Sequence, residues 1–210
     1  MIPKETGERI YPRYFNEAYL DHRNRYYFAT NFIKKEDKVL DISCGCGYGS
    51  WFMGATTGCK QVVGVDVSDE ALNFAQNYYH SEKVIYNKID ISKKFSNLFK
   101  EKFNLIISFE TIEHLEDDNS YLKELNNLLE DNGLLLISSP NEDIIPYYNN
   151  PFFDGGINPY HFRHYTSEEF EKVLIKAGFK VINKYTQENE ITKGDNKAVL
   201  IFVCKKSDLK

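Results

Sequence analysis

One segment limits the fold of this chain more than any other, Val39-Leu-Asp-Ile-Ser-Cys-Gly-Cys-Gly-Tyr-Gly49. An apolar strand runs through an acid, Asp41, into glycines spaced Gly45-x-Gly47-x-Gly49. Glycine permits positive φ and, lacking Cβ, lets another group come close to the backbone. A glycine turn joining a buried strand to a helix opens a βα unit, so the rest of the chain is read for more of them.

Strands and helices alternate along the 210 residues. Residues 16–35 read as a helix, with Tyr19, His22, Tyr26, Ala29 and Ile33 on one face. Strands are expected at Lys38–Ile42, Gln61–Asp66, Val84–Tyr86, Asn104–Phe109 and Leu134–Ser138. A helix starts near Tyr48, another follows the N-cap Ser68, and a third spans Asp118–Glu130, with Asn132-Gly133 as its stop. Thr166-Ser-Glu-Glu169 reads as a capping box, and Gly178 ends the helix it starts. Phe179–Tyr185 and Ala198–Cys204 are closing strands joined by a polar turn around Lys193–Asn196. The alternation predicts an α/β fold of one domain, a mostly parallel sheet with helices on both faces. Residues 1–36 form a helical cap on it and residues 140–165 a loop insertion. Ligands of such sheets lie beyond the carboxyl ends of the strands at the point where strand order reverses.

Three acids stand at those ends. Asp41 precedes the glycine turn, Asp66 closes the second strand and Asp90 follows the third. The dinucleotide fingerprint spaces its glycines G-x-G-x-x-G to seat a pyrophosphate, and a carboxylate repels phosphate. Asp41 with G-x-G-x-G suits a ligand that carries an ammonium group and no phosphate. Asp66 is placed to accept from ribose hydroxyls, and Asp90 from an adenine amino group. Cys44 and Cys46 read as small packing residues rather than nucleophiles.

The segments VLDISCGCGYGS, VVGVDVS, NKIDI and LIISFETIEHLED resemble, in order and spacing, the motifs of class I S-adenosylmethionine-dependent methyltransferases. The resemblance implies a Rossmann-like seven-stranded sheet with an antiparallel last strand. It implies S-adenosyl-L-methionine as cofactor and S-adenosyl-L-homocysteine as product. The residues it assigns to the cofactor are Asp41, Ser43, Gly45, Cys46, Gly47, Gly49, Asp66, Val67, Asp90, Ile91 and Phe109. Ser43 stands where many members have glycine or alanine, and Cys46 where a glutamate is common. TGERIYP, HRNRYYFA and NPYHFRHYTSEEF further resemble a subgroup associated with glycan and cell-surface polysaccharide biosynthesis.

Methyl transfer to a hydroxyl benefits from a general base. After the fourth strand, Glu110, Glu113 and His114 fall at i, i+3 and i+4, one face of a helical turn. His114, Glu113 and His161 are the catalytic candidates, although the Glu-His pair alternatively ties the turn to the sheet. The insertion is rich in Pro, Gly, Asn and aromatics and suits a shaped binding loop. Glu110, Tyr147, Tyr160, Arg163 and His164 are the substrate candidates, read toward O-methylation of a sugar, nucleotide-sugar or related small molecule. No metal is assigned. The alternative is a divalent metal on Glu110, Glu113, His114 and His161, resembling the site of small-RNA 3′-terminal 2′-O-methyltransferases, with RNA as acceptor. A non-catalytic binding domain and a nicotinamide-dependent oxidoreductase are further readings.

A net charge of −5 without a basic stretch speaks against DNA as a partner. No apolar run is long enough for a membrane span, and Cys44, Cys46, Cys59 and Cys204 form neither a CxxC pair nor a disulfide pattern. The expected setting is the cytoplasm; a homodimer is left open.

Overall fold

The computed structural model describes residues 9–207. The first three residues of the TGERIYP segment, and the rest of the expected N-terminal cap before Arg9, lie outside them. The elements are α1 (Leu20–Thr30), β1 (Lys38–Ile42), α2 (Tyr48–Thr56), β2 (Gln61–Asp66), α3 (Asp69–Tyr78), β3 (Val84–Lys88), β4 (Phe103–Ser108), α4 (Asp118–Leu128), β5 (Leu129–Pro140), α5 (Ser167–Lys176), β6 (Phe179–Gln187), β7 (Ile191–Lys193) and β8 (Val199–Lys206).

They form one sheet in the order β3-β2-β1-β4-β5-β8-β6-β7. The first five strands pair in parallel. β8 runs antiparallel to β5 and β6, and β7 is antiparallel to β6. The sheet therefore has eight strands, where seven were expected. The added strand is only Ile191–Lys193, a short piece of the connection between the expected closing strands. Three residues of mixed exposure carry no alternation from which a strand is read.

Period-2 alternation distributes the strand side chains to two cores. Leu40, Ile42, Val63, Val65, Ile106, Leu135, Ile137 and Phe202 face α4 and α5, which supply Leu122, Leu125, Phe170 and Leu174. Val39, Val62, Leu105, Ile107, Leu136 and Val203 face α1, α2 and α3, which supply Tyr26, Ala29, Phe52, Met53, Ala71 and Phe74.

Local signals set most boundaries. Ser68 accepts the Ala71 N–H at 3.2 Å at the start of α3. Thr166 and Glu169 close the expected capping box on α5, and Gly178, at φ +86°, ends that helix. Two boundaries differ. α1 is shorter than the 16–35 pattern, because Phe15–Glu17 forms a separate 3-10 turn and the Thr30 and Asn31 side chains bond back to Tyr27 and Phe28 carbonyls. Asn132-Gly133 does not stop α4. The helix ends at Leu128, and β5 begins at once because fully buried Leu129 pairs with Phe103. An irregular register follows before Leu105 meets Leu134. Gly133 lies in it, and a Cβ there would stand 2.8 Å from Leu129 Cδ1.

The chain passes from β1 outward to β2 and β3 and returns to β4 on the other side of β1. The order reverses between β1 and β4, and the glycine turn lies at that point. The 140–165 loop starts from β5 nearby. Its base is pinned by an Asn141–Tyr165 bridge and by Asn141 Nδ2 donating to the Asp195 and Lys197 carbonyls. Inside it, buried Asn150 and Asn158 accept the Phe152 and Tyr160 N–H groups at 3.0 Å. The loop is shaped by its own amides while several of its rings face outward.

Candidate cofactor and catalytic site

Three residues in five adopt left-handed backbone after β1: Ser43 at φ +58°, Gly45 at +55° and Gly47 at +84°. The Cys44 N–H donates to the Val65 carbonyl at 2.9 Å, which ties the turn to the end of β2. The three glycines serve different ends. A Cβ on Gly47 would lie 2.6 Å from Ala75 Cβ and 2.7 Å from the Tyr86 hydroxyl. On Gly49 it would enter the Tyr26 ring, 2.0 Å from Cζ. On Gly45 it would meet nothing within 4 Å. The missing side chains at Gly47 and Gly49 thus make room for protein groups. Gly45 alone of the three opens onto space.

The acids hold the turn in place. Asp41 is 1% exposed and accepts from Ser50 Oγ at 2.5 Å and the Tyr26 hydroxyl at 3.4 Å. Burial pushes its carboxyl up to about 7, against the pull of these hydroxyls. Asp66 is buried and accepts from Gly45 N–H at 3.0 Å, Ser68 N–H at 2.9 Å and Arg9 Nη2 at 3.0 Å. Asp90 is half-exposed; the Lys93 ammonium at 2.8 Å and the Ser92 hydroxyl at 2.6 Å hold it down to about 2. Val67 beside Asp66 is exposed, Ile91 beside Asp90 is half-buried, and Phe109 meets the Tyr26 ring edge-on at 5.8 Å. Cys46 turns away from the open side. Its thiol donates to the Ile10 carbonyl at 3.3 Å, and burial pushes it up to about 12, so it is no nucleophile. The Arg9–Asp66 pair was not anticipated; its only sequence signal was a basic residue in the TGERIYP segment.

Across the switch point, Glu110 takes φ +46°. Ser138 Oγ accepts its N–H at 2.9 Å and donates to its Oε1 at 2.6 Å. The next residues form a 3-10 turn, Ile112–His114, in place of an α turn. The expected one-face grouping is corrected accordingly: Glu110 is held on β5, apart from Glu113 and His114. These two meet His161 of the long loop, their ligand-capable atoms all within 4.8 Å of one another. The Phe162 N–H donates to the Glu113 carbonyl at 2.8 Å and binds loop to turn. The His114 and His161 rings stand edge to face with centroids 4.6 Å apart.

The substrate candidates separate. Tyr160 is exposed, and half-buried Tyr147 donates through its hydroxyl to the His161 carbonyl at 3.1 Å. Arg163 spends its guanidinium on the Glu116 carbonyl at 2.6 Å and Asp118 at 3.2 Å. His164 is buried beneath His161, and burial lowers its basicity. Both side chains support the loop in this structure.

Comparison with known proteins agrees with this architecture. The family model described as methyltransferase domain matches residues 11–184, and the chain belongs to that family. A probable S-adenosylmethionine-dependent methyltransferase of Mycobacterium tuberculosis is 29% identical over 178 residues, 83% of this chain and 60% of that protein. The chain thus spans less than two thirds of that relative's length. A ubiquinone biosynthesis O-methyltransferase of Pelagibacter ubique is 34% identical over 54% of this chain and 46% of its own. The CcbJ methyltransferase of Streptomyces caelestis shares the fold at TM-score 0.75, with 14% identity over 92% of this chain and 98% of that one.

Two predictions follow from the turn. Gly49→Ala forces the Tyr26 ring to move and is expected to cost about 1–3 kcal/mol in urea unfolding. Gly45→Ala is expected to cost only backbone strain of about 1 kcal/mol while weakening S-adenosylhomocysteine binding. In the folded chain Asp41 holds its proton up to about pH 7, whereas in the unfolded chain it ionises near pH 4. The folded state binds the extra proton, so this group's contribution falls as pH rises through that window. Asp41→Asn should remove that part of the slope in melting temperature between pH 4 and pH 7.

Proposed function

We propose that the chain methylates a hydroxyl of a small ring-shaped acceptor, using S-adenosylmethionine bound at the glycine turn. The carrying observation is the convergence of Glu113, His114 and His161 at the carboxyl end of β4, across the switch point from that turn. The cofactor fits the residues present. Gly45 leaves open space where any side chain would intrude. Asp66 sits at the end of β2 where a ribose is received, with Arg9 as its present partner. Asp41 lies beneath, ready to ionise beside a cationic amino group.

When bound, the cofactor supplies a methyl group already activated on a sulfonium. What remains for the chain is orientation, exclusion of water and removal of the hydroxyl proton. His114 and His161 are the bases for that proton, and Glu113 stabilises the imidazolium that results. The long loop covers the cluster, and its exposed Tyr148, Phe152, Tyr160 and Phe162 offer faces for a ring. These rings favour a sugar or glycan-related acceptor. The name of the Pelagibacter relative favours O-directed transfer.

The three grouped ligand atoms also favour a second reading, in which Glu113, His114 and His161 hold a divalent cation that orients the acceptor oxygen. Glu110, bound to Ser138, is not among them. An RNA 2′-hydroxyl is the acceptor in that reading.

The test is transfer of labelled methyl to a nucleotide-sugar, a phenol and an RNA 3′ end, before and after exhaustive chelation. Label in the sugar, unaffected by chelation and reduced about 10²–10⁴-fold in His114→Ala or His161→Ala, is the expected result. Loss on chelation with recovery on added magnesium or manganese selects the second reading. No label in any acceptor, with cofactor bound, defeats both acceptor classes.

A further inference from the structure

The carbonyl oxygens around the histidine cluster decide which ring nitrogens carry protons. A carbonyl only accepts, so a ring nitrogen in hydrogen-bond contact with one donates. His164 Nδ1 lies 2.6 Å from the Ile145 carbonyl and therefore carries hydrogen. His164 Nε2 lies 2.7 Å from His161 Nδ1, and a single proton fits between two such nitrogens. If it belonged to His164, that ring would be a cation with a side chain only 1% exposed, its nearest carboxylate oxygen, on Glu142, 3.9 Å from Nδ1. An isolated buried cation is disfavoured. The proton belongs to His161 Nδ1, and His164 Nε2 accepts it.

The consequence is directional. With Nδ1 protonated, the basic nitrogen of neutral His161 is Nε2. His114 is set the same way, since its Nδ1 lies 3.0 Å from the Tyr160 carbonyl. In the neutral form of both imidazoles the lone pair thus falls on Nε2, with the Glu113 carboxylate in the same cluster, and both Nδ1 atoms are held by groups of the long loop. The Tyr147 ring packs edge-on against His164 at 5.7 Å, and its hydroxyl holds the His161 carbonyl.

We infer that His164 is a positioning residue, which from its buried seat fixes His161 as the Nδ1–H tautomer so that Nε2 is the nitrogen offered to the reaction. This rests on the reading of the cluster as the reacting site. It serves equally if His161 takes a proton or a cation, because a partner on one ring nitrogen sets the role of the other. His164 had been read as a substrate contact. Its burial and its two nitrogen partners give it this task instead.

The tautomer is read without any acceptor, by long-range ¹H–¹⁵N correlation on the full chain. The chain has five histidines, so single substitutions assign them. Pyrrole-type Nδ1 and pyridine-type Nε2 are expected for His114, His161 and His164 in the unmodified protein. An Nε2–H form of His161 there overturns the inference with no variant needed. In His164→Phe the ring shape remains and the acceptor is gone, so His161 should redistribute between its two tautomers. In His164→Gln an amide oxygen restores the acceptor and the single form. The same His161 pattern in the Phe variant as in the unmodified protein overturns the inference. In turnover, His164→Phe should lower kcat about 10- to 100-fold at unchanged cofactor KM, with most of it recovered in the Gln variant. Full turnover in His161→Ala with the tautomer as expected defeats the functional reading and leaves the tautomer assignment standing.

Discussion

The glycine turn depends on a carboxylate it covers. Asp41 is sealed under the turn and held by two hydroxyls, Ser50 from α2 and Tyr26 from α1. Three elements are located by one buried group. Tyr26 reaches it only because Gly49 has no side chain, so the spacing that reads as a ligand signature is also a packing requirement between α1 and α2. A buried acid without those donors would be costly; burial shifts Asp41 toward the neutral form, and the two hydroxyls pull it back toward the carboxylate. The outer side of the turn is fastened by a second acid, Asp66, through the Gly45 and Ser68 N–H groups.

Two of the four described non-glycine residues with left-handed φ lie at the same place, the others being Glu36 and Asn149. Ser43 follows β1 and Glu110 follows β4, adjacent strands at the switch point, and both hold left-handed φ without being glycine. Such residues persist where surrounding bonds over-determine them. For Glu110 the bonds come from Ser138. For Ser43 they come from its neighbours, the Cys44 bond to β2 on one side and Ile42 in the sheet on the other. Ser43 leads into the glycine turn, and Glu110 leads into the 3-10 turn that carries Glu113 and His114.

Much of this was legible in the sequence because it is local. Short apolar runs located the strands β1 to β5, Ser68 and Thr166 announced their helices, and Asp41, Asp66 and Asp90 fell at or beyond strand ends. What was not legible depends on distant partners. Arg9 pairs with Asp66 across 57 positions, and Ser138 takes Glu110 across 28. The packing of Tyr26 against Gly49 had no signal in the sequence. Glu113, His114 and His161 did meet, as the metal alternative had required, but in a 3-10 turn that left Glu110 behind. β7 has too few residues for any pattern, and Asn132-Gly133 looked like a helix stop because polar-glycine pairs serve irregular strands as well.

The central claim is that the turn and the end of β2 form one receptor for the nucleoside and amino-acid parts of S-adenosylmethionine. Calorimetric titration of S-adenosylhomocysteine into the chain and into its Asp66→Ala variant tests it most directly. Micromolar binding by the chain, with most of the affinity lost in the variant, is the predicted result. No binding by the chain, or equal affinity in the variant, would contradict the account.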